Sequence, residues 1–497
     1  MTHDYTRRTV FGALLGAAAT AAFGDAPLTS LRPIGRLIKG VNITPEMQIP
    51  LAEVIRTSGV TGRVGVVLAD ATTGQIIDSN NSDEPFPPAS VTKAVTTLYA
   101  LETLGPQFRF QTDILVDGPI SNGILEGNLI LAGGGNPNLV TDDLAVLAKQ
   151  LKDSGLTKVR GKFYVYDGAL INLDEIDDSQ LDHLGYNPAI TGLNLNFNRV
   201  YFEWKRAGGA YTVTLDARSD RFQPAVSIAK MRIVDRDSPV YTYVDGGGLD
   251  EWTVARGALG NSGARWLPVR YPALYAGEVF AGFARKYGIF LPPSSETTAP
   301  PQGIPVVTHQ SLPLDRMMQS MLRFSTNITA EAAGMAATES RTGQKKDLRM
   351  SALSMSLWAS ARAAITPSFV DHSGLSDKSR LSAADMVTLL NADGVDAVLY
   401  PILKSIPLRD NQRRVIKDHA VQVVAKTGTL NFVSTLAGYI RTQSGRTLTF
   451  AIFAADLGAR EDGKVQNAER PAGSTTFNTN AKKLQDKLLL RWSAMND

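Results

Sequence analysis

Short runs of β-branched and other apolar residues occur near both ends of the chain and predict strands there. Residues 63–69 and 75–79 flank a turn-forming segment, so they predict a β-hairpin. Residues 421–427, 434–440 and 447–454 predict three further strands. After position 90 the apolar side chains take helical spacing instead; they are Val91, Ala94, Val95, Leu98 and Leu101.

The pattern changes between residues 104 and 305, where short β-like runs alternate with Gly, Pro and Asn turns. A proline-rich segment, 299–305, marks the end of this region. The chain has 497 residues, enough for two to four domains of roughly 100–200 residues each. We predict an α+β main domain, an antiparallel sheet flanked by helices, formed by residues 45–103 and 306–497. Residues 104–305 are predicted to form one or two inserted β-rich domains.

The first 26 residues carry an export pattern. Arg7 and Arg8 precede an uncharged stretch rich in Ala and Leu, with small residues at 19–22. This arrangement predicts a signal peptide over residues 1–26 and a periplasmic protein. The paired arginines favour the twin-arginine route, and an ordinary Sec signal is the alternative. The apolar stretch is too short and too rich in Ala and Gly for a membrane span.

Composition excludes several classes of function. Net charge is +3 and no long Lys/Arg run occurs, so nucleic-acid binding has no electrostatic support. The chain has no cysteine, which removes disulfides, zinc-thiolate sites and thiol catalysis together. None of the five histidines has metal-ligand spacing to another. No metal and no cofactor are therefore expected.

The last predicted helix, residues 481–492, is amphipathic. Its apolar face consists of Leu484, Leu488, Leu489 and Trp492, and basic residues flank it. Such a face packs on the final sheet or lies on a membrane surface. We favour packing on the sheet, so membrane contact is not expected.

Three short motifs stand in order along the chain and carry the candidate chemistry. They are Ser90-Val-Thr-Lys93, Ser325-Thr-Asn327 and Lys426-Thr-Gly428. Together they are the signature of penicillin-binding proteins and serine β-lactamases. At the start of a helix, residues three apart share a face, so Lys93 can reach Ser90. Lys93 acts as the base if burial and nearby positive charge lower its pKa, because a serine hydroxyl is a poor nucleophile until it loses its proton.

The other two motifs predict the rest of the site. Ser325 would relay a proton to the leaving amine, and Asn327 would hold Lys93 and a substrate amide. Lys426, on an edge strand, would supply positive charge for a substrate carboxylate. The backbone N–H groups of Ser90 and Thr429 would form the oxyanion hole. The strand residues predicted to contact substrate are Thr427, Gly428, Thr429 and Leu430.

Each motif alone is weak, because a second S-x-x-K stands at Ser227-Ile-Ala-Lys230. Its surroundings look like a strand, where residues three apart face opposite sides. Ser90 instead follows a hairpin and begins a helix, so we choose Ser90. The alternative for Ser90 is a helix N-cap serine, and for Lys426 a solubilising edge lysine. Such purely structural explanations would have to hold for all three ordered motifs at once, so we favour the catalytic interpretation.

Several other segments carry a family resemblance, which extends from about residue 55 to about residue 490. They are Gly134-Gly-Asn-Pro137, Gly161 with Asp167, Tyr186-Asn-Pro-Ala189, Asn196-Phe-Asn198, Asp371-His-Ser-Gly-Leu-Ser376 and Lys426-Thr-Gly-Thr-Leu430. The chain resembles the D-alanyl-D-alanine carboxypeptidase/endopeptidase family of low-molecular-mass penicillin-binding proteins, the penicillin-binding protein 4 type or class C. The long separation of Lys93 from Ser325 matches the large insertion of this family.

The resemblance implies a transpeptidase-like domain split by inserted domains. It implies a serine DD-peptidase that cleaves D-Ala-D-Ala ends of peptidoglycan stem peptides, with cross-links as a further candidate substrate. β-Lactams are the other expected partners, and no oligomeric state is predicted. Two departures leave the side-chain specificity open. Asn136 stands where the family often has aspartate, and Asp377 stands where it often has an arginine that helps to bind diaminopimelate in some members. Asp182 and Tyr186 match only loosely an inserted-domain aspartate and aromatic that take part there.

Two alternatives remain open at this point. A β-lactamase or esterase on the same scaffold would need a deacylating base, and no clear glutamate stands near Ser90. A wall-binding protein without catalysis is the other alternative, and the complete set of motifs argues against it.

Overall fold

The computed structural model describes residues 49–494 except 411, 418 and 467. The predicted signal peptide, residues 1–26, lies outside the described residues. The residues that are described all fall in one compact unit. The helices are α1 Leu51–Arg56, α2 Thr92–Leu104, α3 Thr141–Asp153, α4 Pro272–Lys286, α5 Leu314–Phe324, α6 Asn327–Thr342, α7 Leu348–Ala363, α8 Ala383–Leu390, α9 Val395–Leu399, α10 Leu457–Val465 and α11 Ser474–Ser493.

Along the described chain, longer strands near both ends flank a series of mostly short strands. They are β1 Arg63–Asp70, β2 Ile76–Asn80, β3 Pro85–Phe86, β4 Gln111–Val116, β5 Ile120–Ser121, β6 Ile124–Leu125, β7 Leu129–Gly133, β8 Lys158–Val159, β9 Phe163–Tyr166, β10 Arg199–Ala207, β11 Ala210–Asp216, β12 Ala229–Val234, β13 Tyr241–Asp245, β14 Asp250–Ala255, β15 Ser262–Pro268, β16 Ser294–Thr297, β17 Ile304–Gln310, β18 Leu381–Ser382, β19 Lys404–Ser405, β20 Gln422–Leu430, β21 Val433–Arg441 and β22 Thr447–Ala455.

A six-stranded antiparallel sheet joins the two ends of the chain in the order β19-β20-β21-β22-β1-β2. Strand β1 pairs with β22 over its full length, with Val66 opposite Ile452. Helices α2 and α5 to α9 cover one face of the sheet, and α1 and α11 cover the other. Because both faces are covered, β1 and β22 are apolar at nearly every position rather than at alternate ones. The predicted antiparallel sheet flanked by helices is confirmed.

The middle of the chain forms four further sheets. The largest has the order β16-β9-β7-β4-β17, and α3 and α4 pack on one of its faces. Three three-stranded sheets follow the orders β5-β6-β8, β11-β10-β15 and β12-β14-β13. Strand β17 belongs to the largest of these sheets through its pairing with β4, and it extends to residue 310. The predicted β-rich character of this region is confirmed, whereas its division at 104 and 305 stays a prediction.

Helix α11 packs on the central sheet through the apolar face found in the sequence. Leu484, Leu488 and Trp492 are each at most 1% exposed. The Trp492 ring lies 5.8 Å from the ring of Phe450, and its Nε1 donates to Oδ2 of Asp78 at 3.2 Å. None of the helices in the described range combines the length and the apolar character that crossing a bilayer requires.

We predict that Trp492→Ala lowers the free energy of unfolding by about 3–5 kcal/mol, because it leaves a cavity between α11 and the sheet. Chemical denaturation of the purified protein measures the change. Lys487→Ala, on the exposed face of the same helix, serves as the control and should change it by less than about 0.5 kcal/mol. Equal effects of the two substitutions would contradict this packing of α11.

Candidate active site

Ser90 lies in a strained turn at the start of helix α2. Residues 89–91 form one turn of 3₁₀ helix that runs into α2. Ala89 takes φ = 46°, a left-handed conformation that is costly for a residue with a side chain. Gly374, at φ = 72°, lies against this turn, and a Cβ there would collide with the carbonyl oxygen of Ala89. On the other side, a Cβ at Gly428 would lie 2.9 Å from the backbone nitrogen of Ser90. The turn is therefore held between two backbone segments.

Lys93 lies one helical turn after Ser90 and is 0% exposed. Its Nζ donates to Ser90 Oγ at 3.0 Å, to Asn327 Oδ1 at 2.7 Å and to the carbonyl oxygen of Ser373 at 2.7 Å. These three acceptors match the three N–H bonds of an ammonium group. Burial lowers the pKa of Lys93, and the negative charges of Glu331 and Asp371 oppose part of that shift. The lysine is thus shifted towards the neutral form that a base requires.

Glu331 is a buried carboxyl that the sequence analysis missed. Its two oxygens accept the backbone N–H groups of His372 and Ser373, both at 2.8 Å. Asp371, also buried, accepts the N–H of Gly374 at 2.8 Å. The two carboxyls hold the loop that contains Ser373, whose carbonyl oxygen accepts a hydrogen bond from Lys93. Burial raises the pKa of both carboxyls. The sequence held one indication that Glu331 lies near the site, because it stands four residues after Asn327 and therefore on the same face of α6.

His372 is fully buried behind this loop. Its Nε2 lies 2.7 Å from Ser351 Oγ, and its ring stacks on Tyr99 with the centroids 6.3 Å apart. Burial lowers its pKa to about 3, so the imidazole is neutral at ordinary pH. These contacts give the histidine a role in packing.

A second lysine and serine pair lies beside the first. Lys426 is 2% exposed, and its Nζ donates to Ser325 Oγ at 2.5 Å. Burial, together with the positive charges of Lys93 and Lys404, lowers the pKa of Lys426 to about 6. A buried lysine cannot act as a solubilising surface group, so that alternative is excluded. Ser325 itself takes φ = 60° between α5 and α6.

The edge position of Lys426 needs one correction. Strand β20 lies between β19 and β21, but β19 pairs only with Val424 and Ala425. From Lys426 onwards, β20 pairs with β21 alone. An open edge for an extended ligand therefore begins at the K-T-G motif.

The two pairs meet at a cleft of about 840 Å³. The predicted site residues that line it are Ser90, Ser325, Asn327, Thr429 and Leu430. Lys93 and Lys426 are buried behind the serines that they contact. Thr427 is exposed, and Gly428 is buried next to Ser90. Asn327 uses Oδ1 for Lys93, while its Nδ2 donates to the carbonyl oxygen of Tyr186 at 2.8 Å. One N–H of that amide remains for a ligand.

Helix α10 places two basic side chains at one end of the cleft. Arg460 and Lys464 both line it, and both contact Asp377 Oδ2, at 2.5 Å and 2.8 Å. Burial opposes ionisation of Asp377, but Lys464 and Arg460 outweigh it and hold the pKa of this carboxyl below its usual range. At the position where the family often has an arginine, this chain has an aspartate that holds two cations of α10. Tyr186 lines the cleft, whereas Asp182 is not one of its lining residues.

The second S-x-x-K motif forms no such pair. Ser227 lies just before β12, and its Oγ donates to Glu278 Oε1 at 2.8 Å. Lys230 is on β12 and is exposed. Ser90 therefore stays the predicted nucleophile.

Curated relatives match most of the chain. The D-alanyl-D-alanine carboxypeptidase DacB of Haemophilus influenzae is 24% identical over 437 residues, which cover 84% of this chain and 90% of that protein. The D-alanyl-D-alanine carboxypeptidase of Actinomadura sp. strain R39 is 26% identical over 489 residues, covering 90% and 88%.

Solved structures and a family model match it as well. Penicillin-binding protein 4 (dacB) of Haemophilus influenzae aligns with a TM-score of 0.71 at 22% identity, over 90% of this chain and 99% of that one. The same protein complexed with a β-lactam aligns with a TM-score of 0.69 at 21% identity, over 89% and 99%. These matches show the shared fold. The model of the D-Ala-D-Ala carboxypeptidase 3 (S13) family matches residues 47–473. The chain therefore belongs to this family of serine peptidases, as its sequence motifs predicted.

Proposed function

We propose that this serine peptidase hydrolyses the D-Ala-D-Ala termini of peptidoglycan stem peptides through an acyl-enzyme on Ser90, with cross-links as a further substrate. The observation that carries the proposal is the contact of Lys93 Nζ with Ser90 Oγ at 3.0 Å, on the wall of an open cleft. A buried lysine with a lowered pKa is the form of base that a serine nucleophile needs. Membership of the D-Ala-D-Ala carboxypeptidase family supports the substrate class.

In the acylation step, neutral Lys93 takes the proton of Ser90 as Oγ attacks the carbonyl carbon of the penultimate D-alanine. The backbone N–H groups of Ser90 and Thr429 stabilise the developing oxyanion. The close approach of Gly428 to the backbone nitrogen of Ser90 supports this pairing, because it brings β20 next to the nucleophile. Asn327 keeps Lys93 in place through Oδ1 and offers an N–H to the substrate backbone.

In the leaving step, the C–N bond breaks and Ser325 passes a proton to the departing amine. Lys426 returns a proton to Ser325 and pairs with the terminal carboxylate of the substrate. Its lowered pKa leaves it mostly neutral when the site is free, and the carboxylate raises that pKa so that the lysine takes up a proton on binding. Lys93 passes the proton that it took from Ser90 through Ser325 to Lys426, which restores both lysines to their starting state. Water then hydrolyses the ester, with neutral Lys93 accepting the proton of the water and returning it to Ser90.

β-Lactams fit the same cleft, since they present an amide carbonyl and a carboxylate. The Haemophilus influenzae protein is solved in complex with one, and we infer that β-lactams acylate Ser90 of this chain. We also infer export to the periplasm by the twin-arginine route, on the residue pattern of positions 1–26. The sheets support a division in which β4 to β17 form the inserted domains.

We predict that benzylpenicillin forms a persistent adduct on Ser90 and that Ser90→Ala abolishes it. Intact mass of the purified protein followed by peptide mapping measures the adduct. Ser227→Ala is the matched control, since it removes the serine of the second S-x-x-K motif, and it should keep the adduct. An adduct on Ser90→Ala protein would overturn the choice of nucleophile. Rapid destruction of the drug without an adduct would indicate a β-lactamase instead.

We predict that the rate of acylation by benzylpenicillin rises with pH as Lys93 loses its proton. Because burial lowers the pKa of Lys93, the midpoint of this rise should lie at least about one unit below the ordinary lysine value of about 10.4. Stopped-flow measurement of acylation across the pH range tests this. A midpoint at the ordinary value, or a rate that does not depend on pH, would exclude Lys93 as the base.

A further inference from the structure

A small cavity lies next to the S-x-N motif, separate from the main cleft. Its volume is about 130 Å³. Its walls include Ser325 and Asn327 on one side, Arg199 on another, and the segment from Gly185 to Pro188. This volume is more than one water needs, so the cavity has room for a few waters or for one carboxylate with a few attached atoms.

Arg199, the first residue of β10, has no acidic partner among the described residues. Its Nε is sealed from solvent and makes no hydrogen bond, and no ion pair reaches its guanidinium. The guanidinium instead lies between two rings, 5.2 Å from the centroid of Phe197 and 5.3 Å from that of Trp266. Burial lowers the pKa of this arginine. The charge is thus partly removed from water without an anion to balance it.

Four other arginines of the same region are paired with carboxylates. Carboxylates lie within 3.1 Å of the guanidinium groups of Arg218, Arg221, Arg256 and Arg265. A buried cation without a partner is costly, so it persists where a ligand supplies the partner or where function requires it. The planar guanidinium fits a carboxylate through two parallel N–H bonds. The missing partner of Arg199 is therefore best matched by a carboxylate.

The cavity is joined to the reacting groups by one short segment. A Cβ at Gly185 would lie 3.2 Å from Cδ of Arg199, so the arginine side chain runs against this segment. The next residue, Tyr186, accepts a hydrogen bond from Asn327 Nδ2 at 2.8 Å. A ligand held by Arg199 would therefore touch the same segment that contacts the catalytic asparagine.

We propose that this cavity is a subsite for a second carboxylate of the peptide substrate, bound by Arg199, in addition to the terminal carboxylate that Lys426 takes. The inference rests on the proposed peptidase function. Two sources carry the required group. A D-glutamyl residue linked through its γ-carboxyl keeps a free α-carboxylate in the stem that is cleaved, and in a cross-linked substrate the neighbouring stem carries carboxylates of its own.

The test compares synthetic substrates that differ only by carboxylate or carboxamide at these two places. One pair is a D-Ala-D-Ala pentapeptide with the D-glutamyl α-carboxylate free or amidated. The other pair is a cross-linked dimer with the carboxylates of the amine-side stem free or amidated. Wild-type protein, Arg199→Met and Arg199→Lys are assayed for kcat/KM. Arg206→Met, an exposed arginine on the same strand, is the matched control and should behave as wild type.

We expect wild-type protein to favour the free carboxylate over the carboxamide in one pair. Arg199→Met should lower kcat/KM for that free form at least about tenfold, the effect of losing a partly buried charge pair, and should remove the preference. Arg199→Lys should retain part of the preference for the free carboxylate. The pair that responds identifies the source of the carboxylate.

Two results would overturn the subsite. One is a wild-type protein that cleaves free and amidated forms equally in both pairs, which is decisive even if Arg199→Met does not fold. The other is a folded Arg199→Met protein whose kcat/KM falls by the same factor on every substrate. Failure of the wild-type protein to cleave any of the peptides, or to be acylated by benzylpenicillin, would count against the proposed function instead.

Discussion

Two lysine side chains, Lys93 and Lys426, are buried side by side, and each contacts a serine hydroxyl. Removing an ammonium group from water is expensive, and placing a second one nearby adds repulsion. Burial lowers the pKa of both lysines, and the charge of Lys93 also lowers the pKa of Lys426. The structure offsets the cost with acceptors for every N–H of Lys93 and with two buried carboxyls, Glu331 and Asp371, placed close to it. The geometry of the cleft depends on this balance.

The elements that meet at the lysines come from distant parts of the chain. Helix α2 provides Ser90 and Lys93, the junction of α5 and α6 provides Ser325 and Asn327, and β20 provides Lys426. The central sheet and its covering helices hold them in contact. Two residues with side chains, Ala89 and Ser325, take left-handed conformations at these junctions. Such strain persists only where the surrounding packing fixes the backbone. Here it places the hydroxyls of Ser90 and Ser325 at the same cleft.

The inserted region adds a second set of constraints. Tyr186 bonds to Asn327, and Glu469 joins Arg265 of β15 to the segment after α10 at 3.0 Å. Arg460 and Lys464 of α10 share the buried carboxylate of Asp377. The charge that lines the cleft is therefore set by ion pairs between elements rather than by the catalytic motifs.

The sequence by itself determined the strands and helices that build the site, and it favoured Ser90 over Ser227 as the proposed nucleophile. It could do so because periodicity and spacing are local and decide which side chains share a face. Only the tertiary structure decided the burial of the two lysines, the contacts of Glu331 with the loop after Asp371 and the pairing of Asp377 with α10. It also decided that Arg199 has no acidic partner within the part of the chain that the structure describes. These properties depend on which distant segments meet. Desolvation and the proximity of charged groups arise only in the packed molecule, and no periodic pattern in the sequence indicates them.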